Sequence, residues 1–182
     1  MSQVRCAPAA LTPDEVWAAL DVLCDPEIPV VTLREMGILR EVHLRQDRVD
    51  VVITPTYSGC PAMGQIHDDI LSTLRALGVQ GKVTTQLAPA WTTDWMTPLA
   101  REKLRAYGIA PPAPCASAPP ASPGRSSIVM QFVRPALTRE VVACPRCNSD
   151  NTTETSHFGS TACKALYKCL ACMEPFDHFK PY

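Results

Sequence analysis

The chain is poor in the features that would tie it to a membrane, a nucleotide or a nucleic acid. No apolar run approaches the roughly 20 residues that a bilayer span needs, and no basic-then-apolar leader with a small-residue cleavage site is present. Only eight of its 182 residues are glycine, and none builds a phosphate-cradling loop. Neither the Glu-x-x-His pair of di-iron carboxylate proteins nor a serine–histidine elbow occurs. Charge of one sign is missing too, with 17 Lys+Arg against 18 Asp+Glu and a net charge of −1. Residues 1–108 carry ten basic against thirteen acidic side chains, and residues 126–182 carry six against five. The basic stripe that phosphate backbones require is therefore lacking, which argues against nucleic acid as a partner. Cysteine, by contrast, is abundant at nine residues. Without an export signal, these are expected to be thiols in the reducing cytoplasm.

Four of the nine carry the strongest signal. Cys144-Pro145-Arg146-Cys147 and Cys169-Leu170-Ala171-Cys172 are two matched pairs separated by 21 residues. Two residues between two thiolates let one tight turn aim both sulfurs at a single ion, and two such turns complete a closed tetrahedral zinc site. A closed site leaves no position open for water or substrate, so Cys144, Cys147, Cys169 and Cys172 are read as ligands of a structural zinc. His157 and His178 lie in the same segment but are not needed, and His43 and His67 are scattered elsewhere. Cys163 is a fifth thiol of this segment, either a packed core residue or an exchange ligand.

Six prolines between positions 111 and 123 rule out a helix or an inner strand and make a semi-stiff linker. The expected organisation is a domain over residues 1–108, a Pro/Ala-rich linker over 109–125 containing Cys115 as an exposed thiol, and a ribbon over 126–182. In the first domain, Thr12-Pro13-Asp14-Glu15 opens a helix with a good N-cap and acids at the positive end of the dipole. Ile38–Arg45 and Arg48–Thr54 read as a hairpin. Ile66, Ile70, Leu74 and Leu77 form the stripe of a second helix that Gly78 ends. Lys82–Leu87 reads as a strand and Pro98–Tyr107 as a short helix. The predicted fold class is α+β: a two-layer α/β domain followed by a small β ribbon.

Two loops carry candidate chemistry. In Thr54-Pro55-Thr56-Tyr57-Ser58-Gly59-Cys60-Pro61, proline suits the first helical position, which puts Cys60 at or next to the N-cap. The helix dipole and unpaired N–H groups favour a thiolate there. Cys60 reads either as a metal ligand or nucleophile, or as a small hydrophobe capping a helix. In Cys24-Asp25-Pro26-Glu27-Ile28-Pro29, two prolines hold two carboxylates in place. Asp25 and Glu27 read as iron ligands or proton shuttles beside a thiolate, or as a solvated turn, which composition alone favours. Cys24, at the helix end, is expected in the core. Trp91 and Trp95 either cover the sheet edge, form a partner patch or, the commoner use, pack in the core.

The segments Asp25-Pro26-Glu27-Ile28-Pro29-Val30, Glu35-Met36-Gly37-Ile38 and Thr54 through Pro61 resemble the small iron–sulfur assembly domain of SufT-like proteins and cytosolic iron–sulfur targeting factors. Pro89 through Trp95, Arg101 through Pro112, Phe158 through Cys169 and Glu174 through Lys180 narrow the resemblance to the PaaD (also PaaJ) family of phenylacetate degradation. The resemblance implies an accessory, non-catalytic role in the multicomponent oxygenase that epoxidises phenylacetyl-CoA, assisting assembly of an iron or iron–sulfur centre. It further implies Cys60 as the functional thiol and transient ligand of iron or a cluster, with Asp25 and Glu27 near it. The implied partners are the oxygenase components, including its iron–sulfur reductase. One cysteine cannot supply the four thiolates of an ordinary cluster, so a site bridging two protomers of a homodimer, or shared with a recipient, is expected. Glu35-Met36 stands where the family commonly has Asp-Leu, Ala62-Met63-Gly64 replaces a more polar turn, and Asn148 replaces a ribbon glycine. Two other classes compete: a rubredoxin-like electron carrier with iron in the four-sulfur site, and a structural scaffold subunit.

Overall fold

A computed structural model describes residues 11–113 and 141–182. Most of the linker, Cys115 and the start of the ribbon segment lie outside the described residues. The chain divides into two compact units, Met1–Tyr107 with Tyr182, and Gly108–Pro181.

The first unit begins with α1 (Pro13–Leu20). Its start is a reciprocal capping box: Glu15 N donates to Thr12 Oγ1 at 3.3 Å and Thr12 N donates to Glu15 Oε2 at 2.8 Å, which satisfies two otherwise orphaned donors. Val16 and Leu20 turn inward and are fully buried. Strands β1 (Leu39–Leu44) and β2 (Arg48–Ile53) form the expected hairpin. Helix α2 (Met63–Ala76) is the crossover that a parallel pair requires, returning the chain to β3 (Gln80–Thr85) alongside β2. The sheet order is β1-β2-β3.

One face of the sheet presents buried Val49, Val51 and Ile53. The register sets His43, Asp50 and Lys82 together on the opposite, polar face. Alternation with period two produces this division, so the helices cover a single face. The fold class is as the sequence indicated. β3 starts two residues before the expected strand because Gly81 is an inward position beneath α2, where a Cβ would fall 2.5 Å from Leu74 Cδ1. A missing side chain leaves no apolar mark in the sequence.

Helix α3 (Pro98–Tyr107) follows a single 3-10 turn at Thr93–Trp95. Between α1 and β1, residues 21–38 wind through successive turns that end at Gly37, whose φ is +71°. A Cβ there would meet Trp95 Cβ at 2.7 Å and Trp95 O at 2.9 Å. Left-handed strain and overpacking add, so Gly37→Ala is expected to cost about 2–4 kcal/mol, measured as a lowered urea midpoint.

The second unit is a four-stranded sheet in the order β4-β7-β6-β5. Its strands are β4 (Ile109–Ala110), β5 (Thr152–Ser156), β6 (Lys164–Cys169) and β7 (Pro175–Phe179). Ile109 and Ala110, read from the sequence as the head of the linker, pair in parallel with Asp177 and His178 of β7. The core is small: Ala110, Val142, Cys144, Cys169 and Phe176, with Tyr167 and Cys172 packed against it. Among the described residues, no helix is long and apolar enough to cross a membrane.

Candidate metal centre and the Cys60 loop

The second unit gathers Cys144, Cys147, Cys169 and Cys172 so that their sulfurs all lie within 4.8 Å of one another. Cys144 Sγ is 3.8 Å from Cys172 Sγ, and Cys147 Sγ is 3.6 Å from Cys169 Sγ. A regular tetrahedron with metal–sulfur bonds of about 2.3 Å has edges of about 3.8 Å, so the donor set fits a tetrahedral metal ion.

Two like turns build this geometry. Asn148 N donates to Cys144 O at 2.9 Å, and Cys169 N donates to Glu174 O at 3.0 Å. The residue after each second cysteine is left-handed, Asn148 at φ 59° and Met173 at φ 66°. Asparagine tolerates that region, which explains the replacement of glycine at 148. Methionine does not favour it, and no local residue pattern marks the turn's demand at 173.

The electrostatics also require a cation. The backbone N–H of Cys172, opposed by burial and supported by the Ala171 N–H, holds the Cys169 thiol down at about 6. At Cys172 the Glu174 N–H favours the thiolate, but burial and the sulfurs of Cys169, Cys147 and Cys144 push it up to about 12. Four thiolates this close cannot all persist without compensating positive charge. Cys163 is buried, with its sulfur 3.0 Å from Thr161 Oγ1, and stands outside the cluster. His178 is buried against the Tyr167 ring, and exposed His157 contacts Glu154; neither joins the cluster.

In the first unit, Cys60 is half-buried at the end of the loop leaving β2. Its placement differs from expectation. Helix α2 starts at Met63 with Ala62 as N-cap and no capping side chain. Cys60 N donates to Tyr57 O at 3.2 Å and Met63 N donates to Cys60 O at 3.4 Å. Pro61 therefore occupies a further turn instead of the first helical position, and Cys60 sits two residues ahead of the cap.

Asp25 is buried, and its Oδ1 accepts the N–H groups of Glu27 at 2.8 Å and Ile28 at 3.1 Å. This is a carboxylate fastening its own turn, while Glu27 remains half-exposed. Cys24, expected in the core, is exposed. The helix ends at Leu20, so the periodicity that would have buried Cys24 stops four residues earlier. Trp91 is buried with Nε1 donating to Met36 O at 3.0 Å, and the Arg40 guanidinium lies 3.5 Å over the Trp95 ring. Core packing is thus the use the structure makes of Trp91.

Glu35 is a residue whose part the sequence did not disclose. It accepts the Thr32 N–H at 2.9 Å, and both its oxygens accept from Lys103 Nζ on α3, at 2.6 and 2.9 Å. Burial raises its pKa, but the Lys103 and Thr32 bonds outweigh that and hold it below the usual carboxylate value. A depressed carboxylate stabilises the fold above its unfolded pKa of about 4.3 and loses that contribution as pH falls through the folded value. Glu35→Gln should therefore cost about 1–3 kcal/mol at pH 7, and urea unfolding at pH 7 and in acid should show the gap from wild type closing.

The comparisons with known proteins agree with this arrangement. Residues 13–85 match the family model described as iron-sulfur cluster assembly protein, and residues 131–180 match the PaaD zinc beta ribbon domain. A protein of Escherichia coli K12 assigned as the PaaD-type component of 1,2-phenylacetyl-CoA epoxidase is 47% identical over 167 residues, 91% of each chain. An Fe-S protein maturation auxiliary factor of Porphyromonas gingivalis W83 is 32% identical over 89 residues, 47% of this chain and 84% of that one. Among solved structures, a domain of unknown function from Bacillus anthracis is 25% identical, covering 50% of this chain and 89% of its own, with TM-score 0.47. A hypothetical protein of Thermotoga maritima is 28% identical over 52% of this chain and 94% of its own, with TM-score 0.45. By its identity to the Escherichia coli protein over nearly the whole of both chains, and by its two matched domains, the chain belongs to the PaaD family of phenylacetyl-CoA epoxidase subunits.

Proposed function

We propose that this protein acts in the cytoplasm as an accessory of the phenylacetyl-CoA epoxidase system, helping to assemble or repair an iron or iron–sulfur centre there. The observation that carries the reading is the half-exposed Cys60 on its loop, inside the segment matched to iron–sulfur cluster assembly proteins. Iron or a cluster is the cargo. The Cys60 thiolate supplies one ligand, and the others come from a second protomer or from the recipient, which includes the iron–sulfur reductase component. A site completed only in the encounter holds its cargo loosely, as transfer requires.

Within that reading, Asp25 shapes the loop, since its Oδ1 is committed to two backbone N–H groups. Glu27, half-exposed beside it, is the carboxylate available to the cargo. Cys144, Cys147, Cys169 and Cys172 hold zinc, which stabilises the ribbon and takes no part in the transfer. Anaerobic iron and sulfide analysis tests the division of sites. Cys60→Ser should abolish iron uptake and leave zinc content unchanged. Iron uptake equal to wild type would overturn the role of Cys60.

A further inference from the structure

Immediately ahead of Cys60, the loop borders a cavity of about 260 Å³ within the first unit, lined among others by Thr54, Thr56, Tyr57, Leu87, Trp91 and Tyr182. That volume lies below the roughly 300–1,000 Å³ of sites for cofactors and drug-sized ligands, so it suits one side chain and not a coenzyme thioester. No acidic or basic side chain is among the described residues that line it, which disfavours a charged guest.

Two of the lining residues are nearly enclosed, Thr54 at 2% and Thr56 at 7% exposure. Neither hydroxyl makes a hydrogen bond among the described residues. Among those residues, the single fully enclosed side-chain atom lacking a partner is Asp21 Oδ1, so the threonine oxygens open onto the cavity. Desolvated hydroxyls without partners are costly, and a guest that bonds them recovers the loss. The other walls are aromatic. Trp91 is fixed by its bond to Met36 O, and the Tyr182 ring stands edge-on to it, with centroids 6.3 Å apart. Such walls prefer an aromatic body.

A guest of one side chain's size, uncharged, aromatic and able to hydrogen-bond at its tip is a tyrosine. We propose that this cavity seats a tyrosine side chain of the recipient polypeptide, its phenol bonded by Thr54 and Thr56, so that the recipient is held beside Cys60 during hand-over. The inference rests on the transfer reading given above.

Titration of the full-length protein with N-acetyl-L-tyrosinamide, followed by ¹H–¹⁵N NMR, tests it. Saturable shifts are expected at Thr54–Ser58 and at the Trp91 indole N–H. N-acetyl-L-phenylalaninamide should bind about three- to tenfold more weakly, and Thr54→Val and Thr56→Val should each weaken the tyrosine probe by a similar factor. Cys60→Ala should bind the probe as wild type does, so loss of transfer in that variant leaves the cavity's role standing. Equal affinity for the two probes on wild-type protein, or unsaturable shifts spread over the surface, would overturn the proposal. Binding of p-cresol with exclusion of the tyrosine amide would assign the cavity to a free phenol and equally remove the recipient from it.

Discussion

Replacing Cys60 by alanine is expected to leave both units folded and to abolish support of the epoxidase. The fold should survive because backbone bonds hold this position in its loop, from Cys60 N to Tyr57 O and from Met63 N to Cys60 O, and alanine keeps both. The side chain is half-exposed, so its loss creates no enclosed cavity and should cost less than about 0.5 kcal/mol. Function is another matter. Removing groups that merely support a metal ligand lowers affinity by about 10–100-fold, and removing the ligand itself exceeds that. In a strain carrying Cys60→Ala as its sole copy, ring epoxidation and iron occupancy of the recipient should fall by about 100-fold or more. Full epoxidase activity in that strain would end the proposal. Asp25→Asn serves as the companion variant, because the amide oxygen can still accept from Glu27 and Ile28. Transfer close to wild type is expected if Asp25 only shapes the loop, whereas loss of transfer with an intact fold would make Asp25 a ligand.

Removal of the ribbon's metal should unfold the second unit and spare the first. The ribbon core consists of Ala110, Val142, Cys144, Cys169 and Phe176, with Tyr167 and Cys172 alongside. So few apolar side chains cannot offset the backbone entropy of an ordered sheet, at about 1–2 kcal/mol per residue. Structural zinc contributes about 10–16 kcal/mol in small domains of this kind, enough to decide the state. The purified protein should therefore be colourless and hold one zinc per chain. A chelator, or Cys144→Ser, should collapse the amide dispersion of residues 141–181 while that of α1, α2 and the first sheet persists. Protons compete for the thiolates, so zinc should be released more readily as pH falls, and competition with a chromogenic chelator at two pH values measures this. A ribbon that keeps its dispersion without metal would refute the structural assignment, and a coloured iron-containing protein would favour the electron-carrier reading.

Elements with a repeating apolar signal were the legible ones. α1 carried its capping box in Thr12 and Glu15, α2 its stripe in Ile66, Ile70 and Leu74, and β2 its alternation in Val49, Val51 and Ile53. β3 was placed late because Gly81 contributes no side chain to the pattern. The Cys60 loop was recognisable as a site, yet its geometry was not. Whether Pro61 opens a helix or a preceding turn depends on bonds to Tyr57 and Met63, and proline is compatible with both.

Local chemistry along the chain was enough to determine that two cysteine pairs would form matched turns, that a domain of mixed helices and strands precedes them, and that Cys60 stands apart from the other sulfurs. These follow from short-range rules, in which spacing fixes what one turn or one face can do. Only the tertiary structure decided that Asp25 is committed to its own loop, that Glu35 reaches Lys103 across 68 residues of sequence, and that Thr54 and Thr56 border a cavity. Each of those depends on how the chain packs in three dimensions, and no local pattern encodes which segments meet.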